Sequence, residues 1–180
     1  NEVSEIVRPD GVRLWISESA SMHGLGTSQA VLIGTVIDVT ALVTSQQALR
    51  RAEEQYRGLF ENAVDGNFIS TLDGKMIGAN QALARINGYD TPDELIAAVN
   101  NIAVEWYVDP KRRNDFVATA ERDGFVRNFE SEIYRHKTRE RIWISETARL
   151  VRDSDGSPSH FEGTVVDITE RKGFERQLML

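Results

Sequence analysis

Residues 142–169 read IWISETARLVRDSDGSPSHFEGTVVDIT, and much of this stretch occurs twice. IWISETA at Ile142–Ala148 is answered by LWISESA at Leu14–Ala20, and GTVVDIT at Gly163–Thr169 by GTVIDVT at Gly34–Thr40. A third pair precedes both, SEIVR at Ser4–Arg8 and SEIYR at Ser131–Arg135. Three blocks in one order mark an internal duplication. The offset runs 127, 128, 129 residues, so each intervening turn is one residue longer in the second copy. Turns absorb such insertions, whereas a strand would turn its side chains to the other face. The blocks are rich in β-branched and aromatic residues and are separated by Pro9–Gly11 in one copy and Asp153–Pro158 in the other. Each copy is therefore expected to form an antiparallel three-stranded meander. With nothing before Asn1, the first copy is expected to be the tail of a domain whose front half is missing, and both chain ends are read as cuts.

Upstream of the complete copy, Gly66–Thr71, Leu72-Asp73-Gly74 and Lys75–Ala79 predict a hairpin with a tight Asp-Gly turn. Asn80–Asn87 predicts a helix with Leu83 and Ile86 on one side and Gly88 as its stop. Thr91-Pro92-Asp93-Glu94 begins another, with Thr91 as N-cap and Glu94 returning a bond to the cap backbone. A third helix is expected from Asp109-Pro110 to a stop at Gly124. Ala41–Glu61 places Leu42, Ser45, Leu49, Ala52, Tyr56 and Leu59 at alternating spacings of three and four, the mark of a helix with one seam. The result is an α+β chain divided into 1–40, a partial domain; 41–58, a linking helix; 59–170, a complete domain; and 171–180, the start of an exit helix.

Composition narrows the function. A formal charge of −7 disfavours nucleic acid as the main partner, and no apolar run approaches the roughly 20 residues of a membrane span. The absence of cysteine excludes disulfides, thiolate metal sites and cysteinyl adducts. His23, His136 and His160 are scattered, and His136 and His160, in or beside strands, are read as ordinary surface histidines. No nucleophile elbow, phosphate loop, zinc-protease or kinase motif is present, and Glu53-Glu54 falls in the linking helix, so no catalytic site is expected.

The ordered strings LFENAVDGNFISTLDGKMIGANQALARINGY, WYVDPKRR and residues 142–172 resemble a PAS domain with its C-terminal PAC portion, over about Leu59–Lys172. Residues 1–40 resemble the PAC portion of a preceding PAS domain. The resemblance implies a five-stranded antiparallel sheet with helices on one face enclosing a small pocket. It implies a cytoplasmic sensory or dimerising module of bacterial signalling, upstream of a histidine kinase or a diguanylate cyclase in the same chain. It also implies a homodimer formed through the linker helices or a sheet face. A constitutive dimerisation or spacer domain without ligand is the rival reading.

Carried over residue by residue, Asn80 and Gly88-Tyr89 match the family's N…GY pattern, and Asp109-Pro110 with Arg112 and Arg113 its helix start. Asp167 and Thr169, with Asp38 and Thr40 in the first copy, match the Asp-x-Thr joining the last strand to a signalling helix. Thr169 suits a helix N-cap, and Asp167 a partner for backbone N–H groups or Arg171. Lys137-Thr138-Arg139-Glu140 replaces the usual Lys-Asp-Gly-Ser turn. Phe68, Asn80, Ile86, Trp106 and Phe116 are the expected pocket residues. No cofactor is assigned. Non-covalent flavin or another small organic ligand is compatible with the sequence; cysteinyl flavin lacks its cysteine, and haem lacks a histidine in Pro110–Arg122. Glu18 and Glu146 occupy equivalent strand positions and are expected to face solvent or a basic residue, a ligand contact being the other reading. Trp15 and Trp143 are expected on the face opposite their flanking isoleucines.

Overall fold

The computed structural model describes residues 2–23, 26 and 30–178, which form two units, 1–57 and 58–180. The first carries β1 (Glu2–Val7), β2 (Arg13–His23) and β3 (Val31–Asp38), an antiparallel sheet in that order, followed by α1 (Thr40–Glu61). The second begins with the hairpin β4 (Gly66–Thr71) and β5 (Met76–Ala79). Four helices follow: α2 (Gln81–Ile86), α3 (Pro92–Ala98), α4 (Ile102–Glu105) and α5 (Lys111–Asp123). β6 (Phe125–Tyr134), β7 (Arg141–Arg152), β8 (Pro158–Asp167) and α6 (Thr169–Leu178) complete it.

Five strands pair in the order β5-β4-β8-β7-β6, all antiparallel, so the first and last strands of the domain meet at its centre. Strand alternation sends Ile133, Ile142, Ile144, Phe161 and Val165 to one face, where Leu83, Leu95, Ile102 and Phe116 from the helices close over them. Gly66 lets α2 approach β4: a Cβ there would stand 3.0 Å from the Leu83 Cα.

The duplication holds in three dimensions. Ser4, Ile16 and Asp38 stand side by side across the first sheet, as Ser131, Ile144 and Asp167 do across the second. The first sheet lacks the helical cover, and among its described residues only Ile16 is buried. α1 keeps Leu42, Leu49, Tyr56 and Leu59 exposed along its seam.

Helix ends follow the sequence with local corrections. Asn80 caps α2 by accepting from the Leu83 N–H at 2.9 Å, and Thr91 caps α3 by accepting from Glu94 N–H at 3.3 Å. Glu94 returns its bond to Asp90 N–H, one residue before the cap. Gly124 ends α5 with φ +80°. α4 is an element the sequence did not announce: Asn101 caps it, and Ile102 N–H donates to Gly74 O at 2.8 Å, so a tertiary contact fixes one turn of helix. In the turn before β7, Arg139 takes the left-handed conformation (φ 60°) where glycine is usual, and its guanidinium donates to Glu105 O at 2.8 Å.

Candidate functional site

The exit from the sheet is a tight polar joint. Ile168 N–H donates to Trp143 O at 2.8 Å, extending the β8–β7 ladder by one bond. The chain then turns, and Thr169 Oγ1 accepts the Trp143 N–H at 2.9 Å while Asp167 Oδ1 accepts the Thr169 N–H at 2.9 Å. Asp167 thus takes a backbone N–H as expected, while the role of Thr169 differs. Thr169 does not cap its own helix; its hydroxyl serves the neighbouring strand, and Asp167 serves the helix start. The first copy repeats the arrangement, with Trp15 N–H on Thr40 Oγ1 at 2.8 Å and Thr40 N–H on Asp38 Oδ1 at 2.9 Å.

A charged clasp adds to the joint in the second copy alone. Glu130 on β6 takes Arg171 on one carboxylate oxygen and Lys172 on the other, both at 2.6 Å. Hydrogen bonds from Lys172 and Arg171 hold its carboxyl below the usual range. The Arg171 expected on Asp167 is therefore engaged elsewhere, and Asp167 faces Arg135 at 3.8 Å. Lys172 also lies 5.5 Å from the Trp143 ring, which stands opposite the isoleucine face as expected. Beside the joint, Val108, Arg112, Glu130, Glu132 and Trp143 border a cleft of about 300 Å³.

Thr169→Val keeps the branched shape, removes the oxygen and leaves the Trp143 N–H without its acceptor. The expected loss is about 1–2 kcal/mol in urea unfolding, and Thr169→Ser should restore most of it. An unchanged midpoint in the valine variant would take the hydroxyl out of this account.

A second polar group lies inside the domain. Glu146 points to the isoleucine face of β7 and is 2% exposed, so of the two expected surroundings it does not meet solvent. The Tyr107 hydroxyl donates to Glu146 Oε2 at 2.8 Å. Burial pushes the Glu146 carboxyl up to about 7, with the Tyr107 hydrogen bond and the Arg113 charge opposing. Burial, then the charge of Glu146, raises Tyr107 well above its usual value. Arg113, 4% exposed, holds its guanidinium 5.1 and 5.2 Å from the Phe116 and Phe161 rings. Glu18, the equivalent of Glu146, sits on the uncovered sheet and is exposed.

The expected pocket residues divide. Phe68, Trp106 and Phe116 are fully packed into the core, with Ile86 against its edge. Asn80 is structural: beyond its cap, its Nδ2 donates to Phe60 O at 3.0 Å and Asp65 O at 2.9 Å. His136 is no ordinary surface residue, since it accepts or donates at both ring nitrogens, to Tyr89 Oη at 2.8 Å and Glu105 Oε2 at 2.6 Å. Neither nitrogen is left to hold haem iron. Among the described residues Ser70 Oγ, Trp106 Nε1, Arg113 Nη2 and Arg135 Nε are buried without a hydrogen-bond partner. No group of three potential metal ligands occurs among the described residues, and no described helix is long and apolar enough to cross a membrane.

A family model described as PAS domain matches residues 64–170. Among solved structures, a PAS domain from Colwellia psychrerythraea superimposes with a TM-score of 0.56 at 18% identity, covering 66% of this chain and 98% of that one. A domain of a sensory box sensor histidine kinase/response regulator from Geobacter sulfurreducens gives 0.51 at 26% identity, covering 66% and 96%. A structure titled as an RNA-binding light-oxygen-voltage receptor gives 0.52 at 19% identity, covering 92% of this chain and 42% of that one. Comparison with curated proteins finds no match.

Proposed function

The chain belongs to the PAS domain family, a non-catalytic sensory fold, and from that premise we propose that its complete domain is the sensory module of a bacterial signal-transduction protein and relays its state through the Asp167–Thr169 joint to α6. The observation that carries this reading is the double hold on α6: Thr169 on the Trp143 peptide, and Arg171 with Lys172 on Glu130. The two ties grip neighbouring strands, so any event that shifts β6 against β7 changes the ground on which the helix stands. A signal acts to the extent that it binds the held and released states differently, and a few kcal/mol suffice. On the same reading residues 1–40 are the tail of a second such domain, 41–58 the helix between them, and the module works in the cytoplasm ahead of a histidine kinase or diguanylate cyclase.

Hydrogen exchange tests it. Glu130→Arg replaces attraction by repulsion at the clasp and should speed exchange of the α6 amides severalfold while β7 and β8 keep their protection. Equal exchange in the two proteins would remove the clasp from the relay. The close packing of Phe68, Trp106 and Phe116 favours a second reading, a spacer domain filled by its own side chains. A small molecule released on denaturation, or melting raised by one member of a metabolite panel, decides for the sensor; neither result leaves the spacer.

A further inference from the structure

An acid and a base lie inside the complete domain without meeting. Glu146 on β7 stands between Phe129 on β6 and Val165 on β8, and takes the Tyr107 hydroxyl at 2.8 Å. Arg113, in the first turn of α5, is buried against the Phe116 and Phe161 rings. Among the described residues its guanidinium makes no ion pair, and its Nη2 has no hydrogen-bond partner. Its charge nevertheless acts on both Glu146 and Tyr107. From the helical side Tyr107, Arg113 and Arg112 are the titratable and charged groups that bear on Glu146, while β6 and β8 face it with Phe129 and Val165. Two opposite charges buried apart are costly, and arginine keeps its proton, so this arrangement is that of the neutral acid. The same turn of helix reaches the exit joint. Arg112 donates through Nη2 to Glu130 O at 2.7 Å and through Nε to Ser131 Oγ at 3.3 Å. Glu130 in turn holds Arg171 and Lys172 at the root of α6.

We propose that Glu146 is a proton-binding switch: once its carboxyl has given its proton to solvent, the Arg113 guanidinium leaves the two rings to pair with it, and the first turn of α5 draws Arg112 from the Glu130 peptide. Each arrangement is consistent in itself. In one, a neutral acid accompanies a guanidinium resting on aromatic rings; in the other, a charge-assisted bond uses the idle Nη2. Attraction between full charges is strong where water is excluded, so loss of the proton decides between them. Burial, which raises the Glu146 carboxyl, sets the change near neutral pH. The species sensed is thus the hydrogen ion, and the inference rests on the sensory reading for the part α6 plays. The first copy has no such switch, since Glu18 is exposed on its uncovered sheet.

Carbon-13 NMR of the glutamate carboxyls in residues 1–180 reads the first step. Between about pH 5.5 and 8.5 the Glu146 carboxyl should pass through its full ionisation shift, and Glu146→Gln should remove that resonance. The Arg113 side-chain Nε–H should move with the same midpoint. Amide exchange reads the second step, with proteins compared at one pH so that intrinsic rates cancel. Near pH 8 the α6 amides of the native chain should exchange severalfold faster than those of Glu146→Gln, and near pH 5.5 equally. In an Arg112→Gln background the carboxyl and Arg113 should still respond, while α6 exchanges alike with and without Glu146→Gln. The histidines remain in Glu146→Gln, so that variant isolates the carboxyl. A Glu146 resonance that stays in one state, an Arg113 resonance that does not follow it, or equal α6 exchange in native and Glu146→Gln proteins near pH 8 would each overturn the proposal. Failure of the sensory reading is seen separately, in Glu130→Arg at fixed pH, where Glu146 is untouched.

Discussion

Phe116→Ala is expected to lower the unfolding free energy of the complete domain by about 3–5 kcal/mol, the range for removing a large aromatic ring from a closed core. Phe116 is fully buried, and its ring meets Phe161 and Phe129 edge-on at 5.5 and 5.9 Å. It is also one of the two rings against which the buried Arg113 guanidinium rests. Truncation therefore removes apolar burial, two aromatic contacts and part of the apolar bed beneath a charge. Phe116→Leu, which keeps most of the volume, should lose well under half as much. Urea denaturation followed by circular dichroism reads both. A loss below about 1 kcal/mol for the alanine variant would mean that the site collapses freely and that Phe116 is not the centre of the core.

Glu146→Gln should change how stability depends on pH. In the unfolded chain the carboxyl titrates near its ordinary 4.5, and in the folded domain near 7. Below the lower value both states hold the proton. Between the two the unfolded chain releases it while the folded domain keeps it, so native stability falls as pH rises and levels off once the folded group has ionised. The full difference is on the order of 3 kcal/mol. Glutamine retains the shape and an acceptor for Tyr107 but cannot ionise. The variant should therefore match the native protein near pH 4 and exceed it by roughly that amount at pH 8. Parallel stability curves for the two proteins across this range would show that Glu146 titrates alike in both states.

Much of this architecture could be read from the chain because the duplication supplies its own internal control. Matching blocks fixed three strands and their order, and the drift in offset placed both insertions in turns. The helix starts at Asn80 and Thr91 were legible because a cap and its recipient N–H are neighbours in sequence. α4 was not, since its four residues hold their shape through Gly74 from a distant hairpin. Thr169 illustrates the same limit: a hydroxyl before a helix reads as a cap, but its recipient lies 26 residues away on another strand. His136 is hidden for the same reason, its two partners coming from the loop between α2 and α3 and from α4. Glu146 is different. Strict alternation from Ile142 and Ile144 puts it on the buried face, and only the cost of burying a carboxylate argued otherwise. The partners that reduce that cost, Tyr107 and Arg113, sit on elements 39 and 33 positions upstream.

The two helix exits share a backbone device but differ in what surrounds it, and dissolved salt acts on them unequally. Around Glu130 the attraction runs between partly exposed ions, which a Debye atmosphere of about 8 Å in physiological electrolyte already weakens. At the first exit, Val3, Leu42 and Val43 stand where Glu130, Arg171 and Lys172 do in the second copy and offer nothing for counterions to screen. A rise in electrolyte thus loosens the charged helix root and finds no charge to screen at the other.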